Sequence, residues 1–293
     1  MAVRGTSEVR WVAASIVLAV LALFAPLLVA QQAPAVTPVA SAAGSSTLLS
    51  IEQQEEFLKK AKIVRTRGAG KGVTNTIRAT LSDGAITHDA SIQTIDEYMP
   101  EFKSKRGVEL NFRDTWRYNV AAYRLDRLLE IGMTPPSIER SYRNKSGSFT
   151  WWVDDVLMDE GERIKTKASA PDSTLWNHQM WVVRVFDQLI ANADRNLGNL
   201  LVDKTWTVWM IDHSRAFRLY DKIKSPENVS KCDRLLFAKI KTLDETTLKQ
   251  VMGEYLTGPE IRGVLKRRDE LVALVEKAGP AAFYDRARVA TTQ

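Results

Sequence analysis

The chain has 293 residues, 45% hydrophobic and 26% charged, an ordinary globular balance that excludes wholesale disorder. A net charge of +6 is too mild to name nucleic acid as a partner, and none is expected. A single cysteine, Cys232, excludes an intramolecular disulfide framework and a Cys-rich zinc site, and His88, His178 and His213 lie far apart without metalloprotease spacing. Function must come from carboxylates, amides and backbone.

Residues 1–30 place Arg4 and Arg10 ahead of an apolar run from Trp11 to Ala30, which fits a signal peptide or a membrane anchor. Leu28-Val29-Ala30 and Ala40-Ser41-Ala42 both resemble small-residue cleavage sites. Residues 31–47 are Ala/Pro/Ser-rich and uncharged, a linker. The charge order puts the remainder on the non-cytoplasmic side, exported into a periplasm or secreted. Its membrane contact would run only through this segment, if uncleaved.

Residues 51–62 read as an amphipathic helix. Residues 63–95 read as strands with tight turns, and Asn111 to Ile131 has helical spacing, with Phe112, Trp116, Val120, Tyr123 and Leu128 on one face. A hairpin follows, SIERSYRN and SFTWWVDDVL, then a polar stretch and an apolar helix from Leu175 to Ala191. NLLVD and TVWMID form a short hairpin, and Lys231 to Lys277 is helical with breaks near residues 242–244 and 257–259. The pattern is α+β, with strands mostly in the first half and helices in the second.

The chemistry concentrates at Asn192-Ala-Asp194-Arg195-Asn196-Leu-Gly-Asn199 and Met210-Ile211-Asp212-His213. A hairpin brings Asn199 and Asp212 together, so two oxygen ligands can hold Mg²⁺ or Mn²⁺ and leave positions for phosphate oxygens and water. Asp194, on the loop after a buried helix, can orient and deprotonate an attacking hydroxyl. Upstream, a glycine turn between two strands contains Gly68, Gly70, Lys71, Gly72 and Thr74. Glycines there let backbone N–H groups approach phosphates, and Lys71 adds a positive charge. It is not a Walker A loop, because Gly72 follows Lys71 and no helix opens.

The D-x4-N and N-x12-D spacings of Asp194, Asn199 and Asp212 are those of protein-kinase catalytic and metal-binding segments, without HRD or DFG. NADRNLGN and MIDHSRAF resemble the phosphatidylinositol 3-/4-kinase-like group. They are nearest the branch of the bacterial toxin kinase HipA and the animal secretory-pathway casein kinases. AAYRLDRLLEIGMTPP is similar to the αC helix of the secretory kinases and the turn behind it, so the likeness spans residues 63–220.

The resemblance implies a two-lobed protein-kinase-like fold, with a strand-rich N-lobe over residues 48–154 carrying one αC-like helix and a mostly helical C-lobe over 155–293. It implies Asp194 as base and Asn199 and Asp212 as metal ligands. It also puts Gln93 and Asn119 where kinases pair a lysine with a glutamate, and Trp151 to Asp155, with Asp154, at the nucleotide hinge. The expected function is exported phosphoryl transfer from ATP or another nucleotide to a hydroxyl of a protein, lipid or sugar. The alternatives are an exported pseudokinase that binds a ligand or partner, and nucleotidyl transfer on the same fold.

Overall fold

In the computed structural model, residues 49–68, 76–104, 107–192 and 195–287 are described. Helix α1 (Ile51–Lys60) opens with a capping box, in which Gln53 N–H donates to Ser50 Oγ at 3.2 Å and Ser50 N–H to Gln53 Oε1 at 2.8 Å. Strands β1 (Lys62–Gly68), β2 (Ile77–Ser82) and β3 (Thr87–Gln93) follow, as the sequence pattern predicts.

The next segment departs from expectation. Residues 96–115 form a hairpin, β4 (Asp96–Ser104) and β5 (Gly107–Thr115), and helix α2 begins only at Arg117 and ends at Leu128. Phe112 stacks on Phe102 at 4.2 Å within the hairpin instead of lying on a helix face. Asn111, at φ 54°, is incompatible with a right-handed helix there.

Strands β6 (Ser137–Tyr142) and β7 (Lys145–Trp151) complete an antiparallel sheet of order β1-β2-β3-β7-β6. Gly147 is required where β7 meets the end of β3, since a Cβ there would lie 2.5 Å from the Gln93 carbonyl oxygen. Phe57 and Leu58 of α1 pack on Leu81, Ile92, Ile138 and Phe149 to form a small core on this sheet.

The predicted strand through Trp151 to Leu157 divides in two. Its second part, β8 (Val156–Asp159), joins a separate sheet of order β10-β9-β8 with β9 (Leu200–Asp203) and β10 (Val208–Met210). The polar stretch after it holds a short helix, α3 (Glu160–Thr166), before α4 (Ser173–Leu189). Helices α5 (Arg234–Lys241), α6 (Glu245–Met252) and α7 (Gly258–Ala278) follow, broken at the expected places, and after them Phe283–Tyr284 pairs in parallel with Cys232–Asp233.

The larger core joins these helices to α4, to the β9–β10 hairpin and to Val120, Ala121 and Leu125 of α2. Helix α2 therefore ties the strand-rich half to the helical half. Asp126 fixes the chain behind it, accepting N–H bonds from Gly132 at 2.8 Å, Met133 at 3.0 Å and Thr134 at 2.9 Å. Complete burial raises the Asp126 pKa to about 6 despite those donors. No helix among the described residues is long and apolar enough to cross a membrane.

Candidate active site

A cavity of about 870 Å³ is lined by the end of β3, the β4–β5 hairpin, α2, the Trp152–Val153 crossing and the segments around Asn199 and Asp212. Antiparallel pairing of Leu200 with Met210 sets Asn199 beside Ile211, whose N–H donates to the Asn199 carbonyl oxygen at 3.0 Å. Asn199 and Asp212 thus come to one end of the hairpin, on the cavity wall. Asp212 sits at φ 54°, a left-handed conformation that surrounding structure must enforce.

Gln93 and Asn119 meet. Asn119 Nδ2 donates to Gln93 Oε1 and, at 3.3 Å, to Ser148 Oγ. Its Oδ1 accepts the His213 N–H at 2.7 Å. Gln93 Nε2 donates to Thr76 Oγ1 at 3.0 Å and lies 3.5 Å from Asp212 Oδ1. Both amides are buried, and together they connect β3, α2 and the Asp212 segment in one network.

Arg195 braces the same segment from below. Its guanidinium donates to Asp187 at 2.9 and 3.1 Å, to the Ile211 carbonyl oxygen at 2.7 Å and to the Asn199 carbonyl oxygen at 3.3 Å. It also contacts His213 Nε2 at 2.8 Å. Burial and this cation hold the His213 pKa well below its ordinary value, so the ring is neutral and accepts the Arg195 N–H. His213 thus has a structural part here, held by Arg195 and by the Asn119 side chain at its backbone N–H. Asp187 is the part that sequence reasoning missed; a lone acid within the apolar run of α4 is its only signal.

Asp114, at the end of β5, is a second missed carboxylate. It is buried on the cavity wall with Oδ1 lacking a hydrogen-bond partner among the described residues. Burial pushes its pKa up against a Ser214 hydrogen bond and Arg215, and the Asp212 and Glu97 charges push it further.

Two assigned residues stand elsewhere. Gly68 ends β1 in open space, where a Cβ would meet nothing, and it does not line the cavity. Asp154 is also off the cavity, exposed and 2.8 Å from His88 Nε2, while His88 stacks on Trp151 at 3.6 Å. Trp152 and Val153 face the cavity in its place, with Arg78 4.1 Å from the Trp152 ring centre. Asp194, Gly70, Lys71, Gly72 and Thr74 lie outside the described residues.

The described wall carries Glu97, Asp114, Asp159, Glu162 and Asp212 against Arg215 as its one permanently charged base. Among the described residues no three His, Cys, Asp or Glu side chains are grouped to hold a metal ion by themselves. A cation would therefore draw on the Asn199 amide and on ligand oxygens as well. Hard oxygen donors and the unpartnered Asp114 oxygen fit Mg²⁺ or Mn²⁺.

No family model matches the sequence, and no curated protein matches it. Among solved structures the chain has the fold of atypical protein kinases, two-lobed with a strand-rich half and a mostly helical half. It is similar to hydra Fam20 solved with sugar, with a TM-score of 0.58 at 15% identity, covering 80% of this chain and 92% of that one. It is similar also to a Golgi casein kinase with bound Mn and ADP, with a TM-score of 0.54 at 13% identity, covering 79% and 76%. A further Golgi casein kinase structure gives 0.54 at 12% identity, covering 81% and 79%. The likeness thus reaches beyond residues 63–220, into helices whose sequence carries no recognisable motif.

Proposed function

We propose that this protein transfers a phosphoryl group from a nucleotide to a hydroxyl acceptor with the help of a divalent cation. The observation that carries the reading is the convergence of Asn199, Asp212 and the Gln93–Asn119 pair on one acidic cavity in an atypical kinase-like fold. A triphosphate could not settle beside so many carboxylates without a cation to offset them. Asn199 and Asp212 would hold that cation, which when bound screens the phosphate charge and polarises its oxygens. The Golgi casein kinase with Mn and ADP supports nucleotide and metal as the ligand pair.

In this reading Asp194 takes the proton of the acceptor hydroxyl as its oxygen bonds to the γ-phosphorus. The bond from that phosphorus to the β,γ-bridging oxygen breaks, and the nucleoside diphosphate leaves with the electron pair. Arg195 holds the Asn199 and Ile211 carbonyls, keeping the metal residues in register. The glycine turn with Gly70, Lys71, Gly72 and Thr74 is the candidate phosphate cradle, and Lys71 the candidate cation in place of Gln93. Export rests on the basic head and apolar run of residues 1–30.

One observation favours a non-catalytic binding module instead: two amides occupy the ion-pair position, and no lysine lines the described cavity wall. A transfer assay separates the two. Wild-type protein is incubated with γ-labelled ATP, Mg²⁺ or Mn²⁺, and protein, lipid and sugar acceptors. Label should reach an acceptor, and Asp194→Asn should lower turnover by roughly 10²–10⁴ with nucleotide affinity within a few-fold. Metal-dependent nucleotide binding with no transfer to any acceptor or to water would favour the binding module. A parallel incubation with α-labelled ATP tests the other chemistry, since label that reaches an acceptor only from the α-phosphate would mean nucleotidyl transfer.

A further inference from the structure

Asp114 has no part in the roles above, yet its surroundings are those of a ligand. Its residue is 7% exposed, it lines the cavity, and its Oδ1 lacks a hydrogen-bond partner among the described residues. Leaving a buried polar atom unpaired costs about 1–3 kcal/mol, and more for a charged one. Such an atom in a native protein calls for an explanation, and a bound ion is one of those it can have.

Two observations identify the missing partner as a cation. Asp114 and Asp212 line the same cavity, so two carboxylates face one space. The frame that holds them is rigid: Thr115 N–H donates to the Ser214 carbonyl oxygen at 2.9 Å, and the Ser214 side chain hydrogen-bonds the Asp114 carboxylate. The β5 end and the segment after Asp212 are thereby fixed together. Arg215 is the one permanent cation on the described wall, and carboxylates held this way repel unless further positive charge stands beside them.

We infer that Asp114 is a third oxygen ligand for a divalent cation, Mg²⁺ or Mn²⁺, beside Asp212 and Asn199, and that this site takes the cation before any nucleotide is present. The inference rests on the proposed function for the placing of Asn199 and Asp212, but not on turnover. Ordinary nucleotide-loaded sites need no such pre-binding, because phosphate oxygens supply much of the coordination.

The test is Mn²⁺ titration of the nucleotide-free full chain, followed by the paramagnetic signal of free Mn²⁺ and by calorimetry. Wild type should bind Mn²⁺ saturably, Asp114→Asn at least tenfold more weakly, and Asp114→Glu within a few-fold of wild type. Mn²⁺ should raise the wild-type Tm and leave that of Asp114→Asn nearly unchanged. In EDTA the asparagine variant should be at least as stable as wild type, because an unpaired buried carboxylate has gone. Equal Mn²⁺ affinity in wild type and Asp114→Asn would overturn the inference. So would the absence of Mn²⁺ binding by nucleotide-free wild type, a result that needs no variant to fold. Mn²⁺ binding through Asp114 in a protein that transfers no phosphoryl group would uphold the inference while removing the phosphotransferase reading.

Discussion

The Asn119 side-chain amide donates to Gln93 Oε1, so two neutral groups meet where kinase resemblance implies a lysine and a glutamate. The pair does not stand alone, since Gln93 Nε2 lies 3.5 Å from Asp212 Oδ1 and Asn119 Oδ1 accepts the His213 N–H. Restoring the two charges should therefore be asymmetric. Gln93→Lys should be tolerated, because Asp212 stands ready to pair with the ammonium. Asn119→Glu should cost about 3–5 kcal/mol, because it buries an uncompensated carboxylate close to Asp212. Gln93→Lys with Asn119→Glu should recover much of that loss. Urea unfolding in a double-mutant cycle should give a coupling of about 0.5–3 kcal/mol. Additive effects would show that the halves act independently.

Arg195 is the next residue whose removal should be felt. Asp187 and Arg195 are both largely buried, and the guanidinium serves two backbone carbonyls besides the carboxylate. Arg195→Met leaves Asp187 without its cation and should destabilise the fold by about 3–5 kcal/mol. Arg195→Lys should rescue little, since one ammonium cannot reproduce a planar fork that spans Asp187, Ile211 and Asn199. Denaturant midpoints of the two variants check this, and a lysine variant of wild-type stability would contradict it.

Asp126 should leave a signature in the pH dependence of stability. Its folded pKa is raised to about 6 from an ordinary value near 3.8. Between those values the folded chain keeps a proton that the unfolded chain has lost. Its stabilising contribution is therefore complete below the unfolded pKa and is lost as pH rises toward 6. Across that window this group alone should lower stability by about 1.4 kcal/mol per pH unit. The difference in unfolding free energy between wild type and Asp126→Asn, measured from pH 4 to 7, isolates it. A difference that does not change with pH would mean that Asp126 titrates alike in both states.

Much of the site could be read from residue spacing, because the hairpin geometry that joins Asn199 to Asp212 follows from local strand pattern and turn chemistry. The meeting of Gln93 and Asn119 was legible only through resemblance, since 26 residues and a hairpin separate them in the chain. That hairpin was not legible. Phe112 and Trp116 stand four apart and imitate one face of a helix, while Tyr98, Met99, Val108 and Leu110 are exposed and blur the strand alternation. Asp114 was lost with it, because an acid in an assumed helix looks like an ordinary solvated residue. Asp154 misled in the opposite way: it lies at the expected crossing but turns outward to His88. Backbone direction at a turn decides that, and no composition signal reports it.

The most direct measurement is calorimetric binding of ATP with and without Mg²⁺ or Mn²⁺, to wild type and to Asp212→Ala. The phosphotransferase reading predicts wild-type binding that strengthens at least tenfold when the cation is added, and loss of that gain in a folded Asp212→Ala variant. Equal metal-dependent binding in the two proteins would contradict the assignment of Asp212, and no ATP binding by wild type under any condition would contradict the reading as a whole.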